Sequence, residues 1–220
     1  MLAASGWTVN HPEWKRSARS LEVDTPAVCP DRARRRHFGV VLSGPGDTDG
    51  MHETPSDLAT LQDLLDRSMA SAGAHLSSII TPDRRLTAGQ VCARLTGMSL
   101  LTLATVTSDG RPLAGPVDGI FHRGSFHFGS SPDSVRFRHI RRSPHVSATH
   151  LPGEELAVTV HGRAVPVDVR SPEGAGLRET LLEVYLPRYG SEWESFLDSG
   201  PLYARIEATR MFTFHMGITL

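Results

Sequence analysis

The sequence predicts a mainly β (α+β) domain, a six-stranded antiparallel split β-barrel with flanking helices and an N-terminal helical extension. Three observations carry this. The β-rich runs within residues 100–131 are joined at Ser108-Asp109-Gly110 and at Arg123-Gly124, and Asp-Gly between such runs is a strong hairpin signal. Two more runs, HVSATHL and LAVTVHGRAVPVD, meet at the turn PGEE, and LYARIEATRMFTFH supplies a sixth strand near the end of the chain. With few helices between them, six such strands make a small closed or split barrel.

Length and charge set the frame for these elements. The chain has 220 residues, 24.0 kDa and 39% hydrophobic content, enough for one sizeable core with extensions. Its formal charge of -1, from 23 Lys+Arg and 24 Asp+Glu, gives no global field toward nucleic acid or an anionic membrane. Any basic site must therefore be local. Cys29 and Cys92 stand in dissimilar contexts, so neither a disulfide framework nor a Cys-based zinc site is expected. MLAASGWTVNHPEWKR has no continuous apolar stretch, and MSLLTLATV is short of the roughly 20 residues that span a bilayer. A soluble, cytoplasmic protein is the expectation.

Residues 1–50 mix Pro, Gly and Asp with the basic run DRARRRH and show no periodicity, so they read as a disordered tail. Met51 is an alternative start. Over residues 51–86 the pattern becomes helical, with Leu58, Leu61, Leu65, Ala72 and Leu76 recurring at three- and four-residue steps behind the caps Thr54 and Ser56. The main domain then occupies residues 87–220. It opens on a short helix from Thr87 to Leu95 that ends at Gly97, where glycine suits a left-handed cap. After the fifth strand, PEGAGLRETLLEVY is helical, and a shorter helix is expected around Trp193 to Leu197.

Chemistry concentrates at the junction FHFGSSPDSVRFRHIRRSP, residues 126–144. Ser131 is placed to cap a helix whose first position is Pro132, where a missing N–H costs nothing. The free N–H groups and partial positive charge of such a helix start suit an anion. Ser130, Ser131 and Ser134 add hydroxyls. Arg136, expected on the second turn, is placed to reach back and bind two phosphate oxygens, because helical side chains tilt toward the N-terminus. Arg138, Arg141 and Arg142 are expected to face solvent.

In order and spacing, LATVTSDGRP, FGSSPDSVRFRHIRRSPHVSATH and VTVHGRAVPVD resemble the pyridoxamine 5'-phosphate oxidase-like family of flavin-binding split barrels, over about residues 87–215. The resemblance implies that Ser130, Ser131, Ser134 and Arg136 hold the phosphate of FMN, or of the deazaflavin F420. It implies that Pro116, Val117 and Asp118 lie along the flavin ring, and that His161 stands near the ring or substrate in place of an apolar residue. It also implies a homodimer, for which Phe121, Phe126 and Phe212 are the expected contacts. The family's vitamin B6 oxidase carries basic residues where this chain has Gly115 and Ile120, and the ending RMFTFHMGITL lacks its substrate motif, so a different small organic substrate is implied. Catalytic residues are not assigned.

Other chemistries have weaker marks. Six of the 11 histidines fall between His122 and His161, yet no H-x-x-x-H or H-E-x-x-H pair occurs, so no metal site is expected. Haem needs as little as one protein ligand and stays open through one of these histidines. Asp118 is expected at the barrel mouth or paired with Arg163 or His161. No G-x-S-x-G elbow supports a hydrolase. The expected function is hydride transfer by an FMN- or F420-dependent oxidoreductase, and the alternative is a protein that only binds or sequesters flavin, F420 or haem.

Overall fold

A computed structural model of the chain describes residues 52–216. The expected tail, Met51 and Cys29 lie outside these residues. The described residues contain six strands and six α-helices, with two short 3-10 turns.

Helix α1, Pro55–Ala70, starts at Thr54, whose hydroxyl accepts from the Asp57 N–H while the Asp57 carboxylate accepts from the Thr54 N–H. This reciprocal cap settles the start at Thr54 rather than Ser56. Leu61, Leu64 and Leu65 turn one face of α1 into the core, and Ala72 and Leu76 fall beyond its end, the latter in the short helix α2, Ala74–Ile79. A second capping box, Thr87 with Gln90, opens α3, Ala88–Arg94, and Gly97 takes a φ of 71° as the chain leaves it.

The strands are β1 (Met98–Val106), β2 (Pro112–His122), β3 (Ser125–Ser130), β4 (His145–Gly153), β5 (Leu156–Val167) and β6 (Leu202–His215). They close a barrel in the order β1-β2-β3-β6-β5-β4, every neighbouring pair antiparallel. Arg123 and Gly124 both take positive φ in the β2–β3 turn, as a tight hairpin of this hand needs. Helix α4, Val135–Arg142, follows β3, whereas α5, Ala175–Tyr189, and α6, Glu192–Asp198, follow β5.

Alternation along the strands divides the core. Leu101, Leu103, Val117, Phe121, Phe126, Phe128, Val158, Val160 and Ile206 point inward and meet Phe137 and Ile140 of α4. On the opposite face Ile120 and Tyr203 pack under α5 and α6, against Leu177, Leu181, Tyr185 and Leu197. Phe121 and Phe126 form an edge-on pair 4.9 Å apart inside the barrel, so they are core residues and not dimer contacts; Phe212 is half-buried on the outer face. Within β5 the register against β6 shifts at Gly162, where the strands approach too closely for a side chain.

Candidate functional site

The junction after β3 differs from its expected form. Ser131 does not cap α4, because residues 131–134 make a turn in which the Ser134 N–H donates to the Ser131 carbonyl at 3.0 Å. The cap is Ser134, whose hydroxyl accepts from the Phe137 N–H at 3.3 Å. Delaying the helix by three residues puts Phe137 and Ile140 on the inward face, where both are buried. Arg136 consequently lies in the first turn, not the second.

Arg136 reaches sideways to β2, where its guanidinium donates to the Pro116 carbonyl at 2.9 Å. Partial burial lowers its pKa, yet an arginine remains charged throughout the physiological range. The β2–β3 register pairs Gly119 with Phe128. That pairing ends at Gly119 and Phe128, and beyond it the Arg136 bond to Pro116 is what links the two sides. Pro116 and Val117 of β2, Ser130 at the end of β3, and Ser131, Ser134 and Arg136 beyond it thus lie past the paired part of the β2–β3 hairpin. Pro116 and Ser131 are exposed, Ser130, Ser134 and Arg136 half-buried, and Val117 buried. The donor set suits an anion: a helix start, serine hydroxyls and a fixed guanidinium. Asp133 is the one carboxylate of the turn and is exposed.

Asp118 is exposed on the outward side of β2, opposite Leu100 of β1. It makes no ion pair with Arg163 or His161, which lie on β5. Its charge is felt by Tyr185 and Tyr203, whose hydroxyls are pushed up mainly by burial and then by Asp118. His161 shares the outward face, in the cross-strand row Ala114, Ala104, Ser147, His161. Three strand spacings of about 4.8 Å separate it from β2. There its Nδ1 hydrogen-bonds the Ser147 hydroxyl at 2.8 Å and its ring meets the edge of Phe212. Within one chain it does not join the group around Arg136.

Two of the basic residues expected in solvent have partners. All three are exposed as expected, but Arg141 donates to the Pro132 carbonyl at 3.2 Å and Arg142 to the Val106 carbonyl at 2.8 Å. Ile120 is buried under α5, so no substrate reaches it. Sequence reading also missed His122 and His127, which line up with His52 at ring separations of 5.6 and 5.8 Å. Their spacing on adjacent strands, Ile120 pairing with His127 and His122 with Ser125, was the available signal. Among the described residues no group of three or more His, Cys, Asp or Glu is arranged to hold a metal ion, and no helix is long and apolar enough to cross a membrane.

A closed six-stranded barrel with a serine- and arginine-lined junction after its third strand defines a class of split-barrel proteins. A family model described as pyridoxamine 5'-phosphate oxidase matches residues 89–202, more than half of the chain, and the chain belongs to that family. No curated protein matches it. Among solved structures it is similar to the conserved hypothetical protein Rv2991 from Mycobacterium tuberculosis, at 21% identity, 61% of this chain and 88% of that one, with a TM-score of 0.49. It is similar to a FAD-binding protein from Mesorhizobium loti, at 22% identity over 61% and 98% of the two chains, TM-score 0.46. A third is HutZ, the heme storage protein from Vibrio cholerae, at 18% identity over 53% and 86%, TM-score 0.45.

Proposed function

We propose that this protein is a flavin- or deazaflavin-dependent oxidoreductase that holds the phosphate of FMN or F420 at the start of α4 and acts on a small organic substrate. The observation that carries the reading is Arg136, a half-buried guanidinium in the first turn of α4 tied to β2 at Pro116, within the stretch that the family model matches. When bound, such a cofactor supplies the hydride chemistry.

The chain binds and orients. Ser130, Ser131 and Ser134 offer hydroxyls to the phosphate, the α4 start offers backbone N–H groups, and Arg136 adds a charged fork. Pro116, Val117 and Asp118 lie along the ring, because the Arg136–Pro116 bond ties the phosphate end to that strand. The carboxylate of Asp118 disfavours a second negative charge beside it and attracts a cationic or hydrogen-bond-donating group.

The reading includes a homodimer. Leu100 and Leu151 are 57% and 62% exposed on the outer face, Leu100 directly opposite Asp118. A two-fold partner on this face covers them and brings a second His161 toward the cofactor ring. Light scattering at micromolar concentration is expected to give twice 24.0 kDa.

The visible spectrum of the purified protein tests the cofactor. Flavin bands or the F420 band support the reading, and a Soret peak or a colourless protein that takes up neither cofactor on titration overturns it. The same cradle serves a protein that binds its cofactor without turning it over, and turnover assays with the loaded protein separate the two.

A further inference from the structure

We infer that Arg141 is a positioning residue that holds the serine turn in the shape a phosphate needs; this rests on the function proposed above. The turn has little else to fix it. Ser131, Pro132 and Asp133 are exposed, the pairing of β3 with β6 stops at Ser130, and Pro132 has no N–H to donate. Its internal bond is the Ser134 N–H to the Ser131 carbonyl. The Ser134 hydroxyl holds the turn's exit by accepting from the Phe137 N–H, and a further restraint comes from the far end of α4, where Arg141 bends back and donates to the Pro132 carbonyl at 3.2 Å.

A cation in the last turn of a helix ordinarily serves the C-terminal dipole. Arg141 instead lies back along α4, as the tilt of helical side chains allows, and spans nine residues to the turn. Ser130 and Ser131 enter this turn and Ser134 leaves it, so the Pro132 carbonyl sits between all three serines of the cradle. Holding that carbonyl limits how far the backbone of the turn, and with it the three serines, can move relative to Arg136. Arg141 itself need touch no ligand, and the ring-binding strand β2 is outside its reach. The consequence is specific: Arg141 supports the phosphate and not the ring.

The test pairs each cofactor with its phosphate-free chromophore, FMN with riboflavin and F420 with its deazaflavin core, in equilibrium titrations of the full chain. Wild type, Arg141→Ala and Arg138→Ala are compared, with melting of each cofactor-free protein. Arg138 is exposed on the same helix, so its loss matches the charge change without touching the turn. Arg141→Ala is expected to bind the phosphorylated cofactor about three- to tenfold more weakly, the worth of one modest hydrogen bond, with the phosphate-free affinity unchanged. Arg138→Ala stays within about twofold on both. Equal losses for the two variants would reduce the effect to charge, and equal losses of both ligands would reduce it to general loosening; either result, or no loss at all, overturns the inference. A wild type that does not prefer the phosphorylated form refutes the proposed function itself, and the inference falls with it.

Discussion

Lowering the pH from about 7.5 to about 5 should strip this fold of roughly 4 kcal/mol through His122 and His127. The two rings are 7% and 5% exposed on the face of β2 and β3 that α5 covers. The Thr180 hydroxyl meets His122 Nδ1 at 3.0 Å, and His127 Nδ1 donates to the Ser125 carbonyl at 3.1 Å. Burial, then His52 and Arg123, lowers His122 to about 4 against a smaller opposing pull from Asp57. Burial, then His122, lowers His127 to about 3, with Arg205 adding to it. Both rings are therefore neutral in the fold.

A histidine with a depressed folded pKa contributes stability that is present above its unfolded pKa of about 6.5 and is lost as pH falls toward the folded value. For a folded pKa well below 5 the loss by pH 5 is about 2 kcal/mol per ring and hardly depends on the depressed value. The window stops there because carboxylates with lowered pKa, such as Asp57, begin to lose their own contribution below it. Chemical denaturation at stepped pH reads the effect, which equals a fall in Tm of roughly 8–16 °C for a domain of this size. His122→Asn and His127→Gln should each remove about half of the slope. A double variant that still loses as much stability as wild type, or a wild type that gains stability on acidification, refutes the reasoning.

Other residues carry smaller, separate expectations. The buried Ser68 hydroxyl accepts from the Met211 N–H at 2.9 Å and donates to the Leu64 carbonyl, joining α1 to β6. Ser68→Ala should cost about 1–3 kcal/mol by leaving that strand N–H unpaired, and Ser68→Thr should keep more of it in the same denaturation assay. At Gly162 an added Cβ would overlap the Glu207 carbonyl oxygen and lie 2.8 Å from its carbon. Gly162→Ala should therefore cost about 3 kcal/mol or give insoluble protein, whereas Gly89→Ala, which meets nothing within 4 Å, should be neutral or stabilising.

Local chemistry was the part legible in the sequence. Asp109-Gly110 and Arg123-Gly124 marked the first two hairpins, and Thr87 with Gln90 marked a helix start, because turns and caps are decided within a few residues. Ring closure through β1 and β4 was implied only by the number of strands, since its register depends on residues more than forty positions apart, such as Thr102 and Thr149. In the stretch Ser131-Pro132-Asp133-Ser134 the sequence pointed to a cap at Ser131, because Pro132 follows it. Burial of Phe137 and Ile140 selected Ser134 instead, a choice made by the core and not by the cap. The partner of Arg136 at Pro116, twenty residues back, followed from the same tertiary placement. That His122 and His127 are buried was not legible, because the cover comes from distant elements such as Thr180 of α5.

The most direct test of the account is the affinity of Arg136→Ala for FMN and F420, measured beside Arg138→Ala and with the melting of each cofactor-free protein. If Arg136 binds a cofactor phosphate, its loss removes a charge-assisted contact of roughly 1.5–3 kcal/mol, and affinity should fall about ten- to a hundredfold. Arg138→Ala should change it no more than about twofold. Losing the bond to Pro116 should lower the melting temperature of the cofactor-free protein by only a few degrees. Equal affinities for the two variants, or a cofactor-free Arg136→Ala protein that no longer folds, would make Arg136 a structural tie between α4 and β2 and would contradict the phosphate site.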